Sequence, residues 1–284
     1  MNFIIGQPRS GTAFLAHLLN SAGPLVCLHQ NLLTLTCHQI VPAAFAHYEQ
    51  RCSTAEIGRL TKFYDMREGI QVDSSWLSTW ILGPLQLAFP KGKFVHLVRD
   101  PRDNVRAMFN EHDLYGTLFS VPEAQDAFIR WCVQQNRSWL YVLMHSMLSI
   151  LPRIDRSDWE ELSAFERNCA FWVEGHRLIL DSQASRNEYL LVRLEDLKKD
   201  DGASAARIFE FLELPVPPRD KLARALNTRV NSKEDSMWSE IRRIKAETNG
   251  TLLPNSYADW PREYQQTLVS MCGDTAARLG YQLG

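Results

Sequence analysis

The residues between positions 6 and 12 carry the clearest chemistry in this sequence. They read Gly-Gln-Pro-Arg-Ser-Gly-Thr, and they lie between a short apolar run, Asn2 to Ile5, and a helical pattern that begins near Ala13. The backbone N–H groups of a glycine-bounded loop of this kind converge on an anion, and the N-terminus of the following helix adds partial positive charge. The loop therefore predicts a binding site for a phosphate-like group.

This loop differs from the phosphate loop of an ATPase or a kinase in the position of its charge. The glycines at positions 6 and 11 have the spacing of that motif, but Thr12 stands where its lysine would be. The cation is instead Arg9, inside the loop, and Ala13 occupies the position of the hydroxyl residue that binds magnesium. The pattern favours phosphate binding without magnesium chemistry. The remaining interpretation is a tight turn in which Arg9 is only solvated.

A second arginine follows a second buried strand. The apolar run Phe94–Val98 leads into Arg99, and the Asp-Pro pair that comes next is typical of the start of a helix, expected here over residues 101–110. Arg99 thus repeats the arrangement of the first loop, and its alternative role is a structural ion pair with Asp100 or Asp103. Two such arginines indicate a ligand with two separated phosphate-like groups.

Strands and helices alternate along most of the chain. Strands are expected at about residues 2–5, 25–28, 69–72, 94–98 and 188–192, and helices at about 13–19, within 31–63, and at 76–89, 101–110, 163–182, 203–213 and 261–279, with 226–256 polar and irregular. This alternation predicts an α/β fold, a P-loop-like three-layer arrangement with a central parallel sheet flanked by helices, in one domain over residues 1–284. Ligands of such sheets bind beyond the carboxyl ends of the strands.

Net charge and cysteine content limit the kinds of molecule that the protein is expected to bind. The net charge of −2 gives no overall basic field for nucleic acid or a membrane surface, so any anion site must be a local cluster. Six cysteines without a Cys-x-x-Cys pair predict neither a zinc site nor a disulfide framework, and reduced thiols fit a cytoplasmic protein. We expect no membrane anchor and no signal peptide, because the first loop begins at residue 6 and no run of about 20 apolar residues occurs.

Three segments of the chain resemble the sulfotransferases that use 3′-phosphoadenosine 5′-phosphosulfate. Gln7-Pro8-Arg9-Ser10-Gly11-Thr12 is similar to their 5′-phosphosulfate loop, and Leu97-Val98-Arg99-Asp100-Pro101-Arg102-Asp103 resembles their 3′-phosphate motif. Leu191–Leu197, followed by Ile208–Leu212, is similar to the strand and helix that close their core. The likeness runs in order from residue 2 to about 240. It implies sulfuryl transfer to a hydroxyl or amine of a small-molecule acceptor, with adenosine 3′,5′-bisphosphate as product.

The resemblance also implies roles for the matching positions. Residues 7–12 would cradle the phosphosulfate, with Arg9 stabilising the charge that grows on the bridging oxygen, and Arg99 would hold the 3′-phosphate. Arg193 would be a further position that binds the cofactor. Lys233, which precedes Trp238 in a segment weakly similar to the family's late basic residues, would be either a ligand of the 3′-phosphate or a solvated lysine.

One position departs from the family. A serine usually follows the arginine of the second motif by eight residues and binds the same phosphate, and here that position is Ala107. Either Asn104 or Arg106 supplies the contact from the same helix, or the 3′-phosphate is bound less tightly.

The general base that would take the acceptor's proton has three candidates at strand or helix ends. His29 comes first, at the expected end of the second strand, although the His-Glu pair of many bacterial relatives is His29-Gln30 here. Asp73, expected after the third strand, comes next, and His112 follows. The alternative role for His29 is a strand-end histidine that bonds a backbone carbonyl.

Other functions remain open from sequence alone. These are a P-loop nucleotide or metabolite kinase, a relative that binds nucleotide without catalysis, and a family member recruited to another reaction on a sulfated or phosphorylated substrate. The acceptor cannot be named, but segments at about 31–70 and 112–160 are expected to shape its pocket. Trp76 and Trp80 could contribute to that pocket, although core packing is the preferred interpretation.

Overall fold

A computed structural model of the chain describes twelve stretches, residues 1–21, 26–29, 53–65, 69–112, 122–134, 161–182, 188–199, 202–228, 230, 243, 246–247 and 252–284. The chain divides into two compact units. One comprises residues 1–99 and 178–232, and the other comprises residues 100–177 and 233–284.

The first unit contains a parallel sheet. Within the described residues its strands are β1 (Asn2–Gly6), β2 (Cys27–His29), β3 (Val72–Ser74), β4 (Phe94–Val98) and β5 (Tyr189–Arg193). Their order is β2-β3-β1-β4-β5, and every neighbouring pair is parallel. The central parallel sheet flanked by helices is therefore confirmed. All five carboxyl ends lie at one edge, which is where residues 6–12 and Arg99 follow their strands.

The helices in the described stretches are α1 (Thr12–Asn20), α2 (Thr54–Asp65), α3 (Leu82–Ala88), α4 (Pro101–Ala107), α5 (Pro122–Gln134), α6 (Ala164–Ser182), α7 (Ala203–Phe211), α8 (Arg219–Asn227) and α9 (Arg262–Arg278). Short 3₁₀ segments occupy Trp76–Ile81, Asp196–Lys198 and Tyr257–Asp259, and a π-helical segment occupies Met108–His112. No helix in the described part of the chain is both long enough and apolar enough to cross a membrane.

The core of the first unit forms on both faces of β1. Phe3, Ile4 and Ile5 are completely buried, as expected for a central parallel strand. On one face Ile4 belongs to an apolar cluster that includes residues of α1, α7 and α8. On the other face the Phe3 ring stacks on Phe94, with centroids 5.2 Å apart, and meets Tyr64 edge-on.

In the first unit, the largest differences from the sequence predictions concern three elements. The third strand is Val72–Ser74 rather than 69–72. The helix expected over 76–89 is a 3₁₀ segment followed by α3, because Pro84 has no N–H for a helical bond to Trp80 and fits only in the first turn of α3. Helix α8 forms where none was predicted.

In the second unit, α4 ends earlier than residue 110 and continues as the π-helical segment. There the Asn110 side chain donates to the Leu253 carbonyl at 2.8 Å and accepts from the Leu253 N–H at 2.9 Å. Aromatic side chains form the packing nearby, for example Phe165 against Tyr264, whose ring centroids are 4.8 Å apart. The two Asn110 hydrogen bonds therefore hold the π-helical segment against Leu253.

Candidate active site

The loop between β1 and α1 is a tight turn closed by its own backbone. The Ser10 N–H donates to the Gln7 carbonyl at 3.1 Å and closes the turn, and the Gly11 carbonyl accepts the N–H of Leu15 at 3.0 Å as α1 begins. Arg9 has a φ of 65°, in the left-handed region that non-glycine residues seldom adopt. Backbone strain of this kind is concentrated at ligand-binding sites and costs about 1–3 kcal/mol.

Both glycines of the loop are required by their surroundings. A Cβ on Gly6 would lie 2.4 Å from the carbonyl oxygen of Leu97, so only glycine allows β1 to approach β4 at this point. Gly11 has a φ of 105°, and a Cβ there would lie 2.9 Å from Cδ1 of Leu194. Leu194 therefore lies directly against the start of α1.

Two side chains of the loop keep polar atoms buried. Gln7 and Ser10 are both completely buried. Within the described residues, neither the amide nitrogen and oxygen of Gln7 nor the hydroxyl of Ser10 has a hydrogen-bond partner. Buried polar groups in native proteins are nearly always paired, and exceptions call for a specific explanation. The oxygen atoms of a ligand would accept from the Gln7 amide nitrogen and the Ser10 hydroxyl, so these two donors of the loop fit a phosphosulfate.

Arg99 and Arg9 lie at the same edge of the sheet and are in contact. The Nη1 atom of Arg99 donates a hydrogen bond to the carbonyl oxygen of Arg9 at 3.2 Å. The register of the central strands explains the contact, because Gly6 pairs with Leu97 and both chains leave the sheet just beyond. The structure therefore brings together the two arginines that the sequence singles out, and the contact itself was not predicted.

Arg193 lies at the end of β5, opposite Val98 of β4. Its Nε donates to Asp196 at 2.7 Å, and its side chain is 40% exposed. The next residue, Leu194, donates its N–H to the Val98 carbonyl at 2.8 Å, which extends the sheet up to Arg99. The backbone of this segment thus fixes Leu194 beside both arginine-bearing loops.

A cavity of about 510 Å³ is lined in part by Leu194, the residue that lies against Gly11. Phe14, Leu194 and Leu226 contribute apolar walls, and Lys198, Asn227 and Thr228 contribute polar groups. The cavity was not predicted, because more than half of its lining residues come from α8 and the segment after it. The signal that could have found it is Leu194, which lies inside the Arg193–Leu197 motif.

Asp73 is not at the end of the third strand as expected; it lies inside β3, opposite Phe3 of β1. Its carboxylate is buried and accepts hydrogen bonds from the Tyr64 hydroxyl at 2.8 Å and the Ser78 hydroxyl at 3.2 Å. Burial, and then the charge of Asp73, raise the pKa of the Cys27 thiol well above its usual value. The carboxylate therefore forms part of a buried polar network with specific partners.

His29 is the last residue of β2 and pairs with Ser74 of β3. Its side chain lies outside the described residues, as do the whole of Gln30, Lys233 and Trp238 and the side chain of His112. The position of His29 at the carboxyl end of its strand agrees with the sequence prediction, and its role stays a prediction.

Ala107 is the last residue of α4 and is buried. Of the two residues that could replace the missing serine, Asn104 is completely buried. Arg106 has partners within its own unit, since it donates to Asn255 at 2.8 Å and lies 3.7 Å from the carboxylate of Asp103. Trp76 and Trp80 are both buried in the core.

Comparison with known proteins agrees with this geometry. Residues 2–251 match the profile of the sulfotransferase domain family. The structure is similar to the sulfotransferase domain from the curacin biosynthetic pathway, with a TM-score of 0.52 and 14% identity over 100% of this chain and 98% of that one. A sulfotransferase domain from the Synechococcus PCC 7002 olefin synthase matches with a TM-score of 0.44 and 16% identity, covering 95% of this chain and 93% of that one. No curated protein sequence matches significantly. The likeness of structure concerns the fold, and the profile match over most of the sequence establishes that the chain belongs to the sulfotransferase family.

Proposed function

We propose that the protein transfers a sulfuryl group from 3′-phosphoadenosine 5′-phosphosulfate to a hydroxyl or amine of a small-molecule acceptor. The observation that carries this proposal is the contact between Arg99 and the backbone of Arg9 at the carboxyl edge of the sheet. Two cations beside a phosphate-type loop suit a nucleotide with anionic groups at both its 5′ and 3′ positions. The family to which the chain belongs generally uses this donor.

The cavity beside Leu194 supports a nucleotide rather than an isolated anion. Its volume of about 510 Å³ falls within the range of small-molecule sites, and its apolar walls suit the faces of a base. The polar side chains of Asn227 and Thr228 on its rim suit ring nitrogens and ribose hydroxyls. Since Leu194 also contacts Gly11, one ligand could occupy the cavity and the loop together.

Each residue of the loop would have a defined task. The donor, when bound, supplies the sulfuryl group and leaves as adenosine 3′,5′-bisphosphate. Arg9, Ser10, Gly11 and Thr12, together with the backbone N–H groups, would hold the 5′ group and stabilise negative charge on the leaving oxygen. Gln7 and Pro8 would shape the floor of the loop. Transfer of this kind depends mainly on positioning and charge stabilisation.

Arg99 would hold the 3′-phosphate, and Arg193 and Lys233 would contribute to the same nucleotide site. Ala107 cannot donate a hydrogen bond, so that phosphate would have one contact fewer than the family usually provides. Loss of one hydrogen bond to a charged group corresponds to about 1.5–3 kcal/mol. The site would therefore bind the nucleotide more weakly than a serine-bearing relative, without losing its function.

His29 is the preferred general base, and Asp73 is the second candidate. The Tyr64 and Ser78 hydroxyls both donate to the Asp73 carboxylate, so this group already has partners within the fold. They also fix it within the sheet. Segments at about 31–70 and 112–160 would shape the acceptor pocket.

The proposal is tested by nucleotide binding followed by turnover. Calorimetry with adenosine 3′,5′-bisphosphate should show binding, and labelled donor with a panel of phenols, alcohols, sugars and amines should yield a labelled product. Arg9→Ala should abolish transfer, whereas Arg207→Ala, an exposed arginine on α7, should not. Near-normal turnover by Arg9→Ala would contradict the mechanism. Binding of the bisphosphate without turnover on any acceptor would favour a nucleotide-binding role.

A further inference from the structure

The side chain of Arg99 contacts a backbone atom of the loop. This contact is separate from any role in binding a phosphate. The Nη1 atom of Arg99 donates to the carbonyl oxygen of Arg9 at 3.2 Å, across 90 residues of sequence. That oxygen belongs to the peptide group between Arg9 and Ser10. The N–H of the same peptide group donates to the Gln7 carbonyl at 3.1 Å. The peptide plane is therefore held from both of its sides.

This peptide group follows a residue whose backbone conformation is unfavourable. Arg9 has a φ of 65°, and a non-glycine residue remains in the left-handed region only when its surroundings fix it there. The orientation of the 9–10 peptide determines where the next N–H groups, those of Gly11 and Thr12, point as α1 begins. Those N–H groups are the donors that a helix start offers to an anion.

A guanidinium group can make both contacts. It carries five N–H donors in a planar fork, so after one bond to a carbonyl the other donors are still available for an anion. A lysine would supply the charge but not the fork. The identity of residue 99 as arginine thus matters for geometry as well as for charge.

We propose that Arg99 is a positioning residue for the 5′ end of the nucleotide as well as a ligand of its 3′ end. Through its bond to the Arg9 carbonyl it holds the loop in the conformation that binds the 5′ group. The inference rests on the proposed nucleotide site. It predicts that loss of the Arg99 side chain weakens even a nucleotide that has no 3′-phosphate.

The test compares two probes, adenosine 3′,5′-bisphosphate and adenosine 5′-monophosphate, by calorimetry on the full chain. Arg99→Ala should weaken the monophosphate about twofold to tenfold, the range for one hydrogen bond, and should weaken the bisphosphate more. Arg99→Lys should restore part of the bisphosphate affinity, because the charge returns, and none of the monophosphate affinity. Arg207→Ala should change neither.

An unchanged monophosphate affinity in Arg99→Ala, with weaker bisphosphate binding, would overturn the positioning role and leave the proposed nucleotide site intact. If the wild type binds neither probe, the nucleotide site fails and the inference fails with it. Hydrogen exchange in the nucleotide-free protein gives a second measurement. Amides of residues 9–12 should exchange faster in Arg99→Lys than in the wild type, and equal rates would overturn the inference.

Discussion

Leu194 packs against Gly11 at the start of α1, so closely that a Cβ on the glycine would lie 2.9 Å from Leu194 Cδ1. The contact joins two segments that are far apart in the sequence, the first loop and the turn after β5. It makes Gly11 necessary for two separate reasons, its φ of 105° and the lack of space for a side chain. The two reasons can be separated by mutation.

Gly11→Ala should reduce both stability and nucleotide affinity. A left-handed conformation costs a non-glycine residue about 1–2 kcal/mol, and the clash with Leu194 adds to it. The double variant Gly11→Ala with Leu194→Ala restores the space but not the backbone freedom. Urea unfolding of both variants and of Leu194→Ala alone should therefore show partial recovery. Full recovery in the double variant would mean that the backbone conformation contributes nothing.

Filling the cavity should weaken nucleotide binding without harm to the core. Asn227 lies at the end of α8, is exposed, and lines the cavity, so Asn227→Trp can project into it. We expect the affinity for adenosine 3′,5′-bisphosphate to fall about tenfold, or about 1.4 kcal/mol. Lys221→Trp, an exposed position on the same helix outside this cavity, is the matched control. Equal affinities for the two variants would remove the cavity from the nucleotide site.

The elements that could be predicted from the sequence are those whose signal lies in their own residues. Phe94–Val98 is recognisable as a strand because it is a continuous apolar run after a turn, and its bounds are as expected. The prediction for β3 ended too early because Asp73 and Ser74 are polar, a pattern typical of a loop. They are buried because Tyr64 and Ser78 donate to Asp73, and the Ser74 hydroxyl donates to the Thr12 carbonyl at 2.9 Å. Such partners come from distant segments and leave no local pattern.

The same reason applies to the candidate site. The two arginine motifs were recognisable one at a time, because each has its own strand and loop. Their contact through the Arg9 carbonyl, and the cavity beside Leu194, depend on which strands are neighbours and on their register. Those relationships are tertiary, so they could not be predicted from the spacing of residues along the chain.

The choice of general base can be tested with three variants. His29→Ala should lower kcat strongly while the affinity for adenosine 3′,5′-bisphosphate stays unchanged. Asp73→Asn should mainly lower the free energy of unfolding, by about 1–3 kcal/mol, because both hydroxyls donate to Oδ2 and an amide oxygen there accepts them without the charge that strengthens the bonds. Tyr64→Phe removes one of those bonds and should cost about 0.5–1.5 kcal/mol.

Kinetics and urea unfolding on the same preparations separate the two roles. If Asp73→Asn abolishes turnover in a protein that remains folded, while His29→Ala retains it, Asp73 is the base and our preference is wrong. His17→Ala, an exposed histidine on α1, is the control for the histidine substitution.

Gln7→Met should stabilise the nucleotide-free protein. The side chain is completely buried, and its amide has no partner among the described residues, so an apolar side chain of similar size removes an unpaired polar group. The expected gain in the free energy of unfolding is about 1–3 kcal/mol. Gln71→Met, at an exposed position before β3, should leave stability unchanged. A loss of stability in Gln7→Met would indicate that the amide has a structural partner.

His176 should make the stability of the protein depend on pH. It is completely buried and packs against Trp172 with ring centroids 4.6 Å apart, and burial lowers its pKa from 6.5 to about 3. At pH values between about 3 and 6.5, the unfolded chain therefore carries a proton on His176 that the folded chain does not carry. As a result, stability contributed by the neutral ring is complete above about pH 6.5 and falls as the pH is lowered, by about 1.4 kcal/mol per pH unit.

His176→Gln removes this titration, so its free energy of unfolding should fall less steeply with decreasing pH than that of the wild type. Urea unfolding between pH 5 and 6.5, above the range where most carboxylates titrate, isolates the difference. His17→Gln, at an exposed position on α1, is the matched control for the substitution. Parallel curves for the wild type and His176→Gln would mean that His176 takes up its proton within the folded protein, which would contradict the lowered pKa.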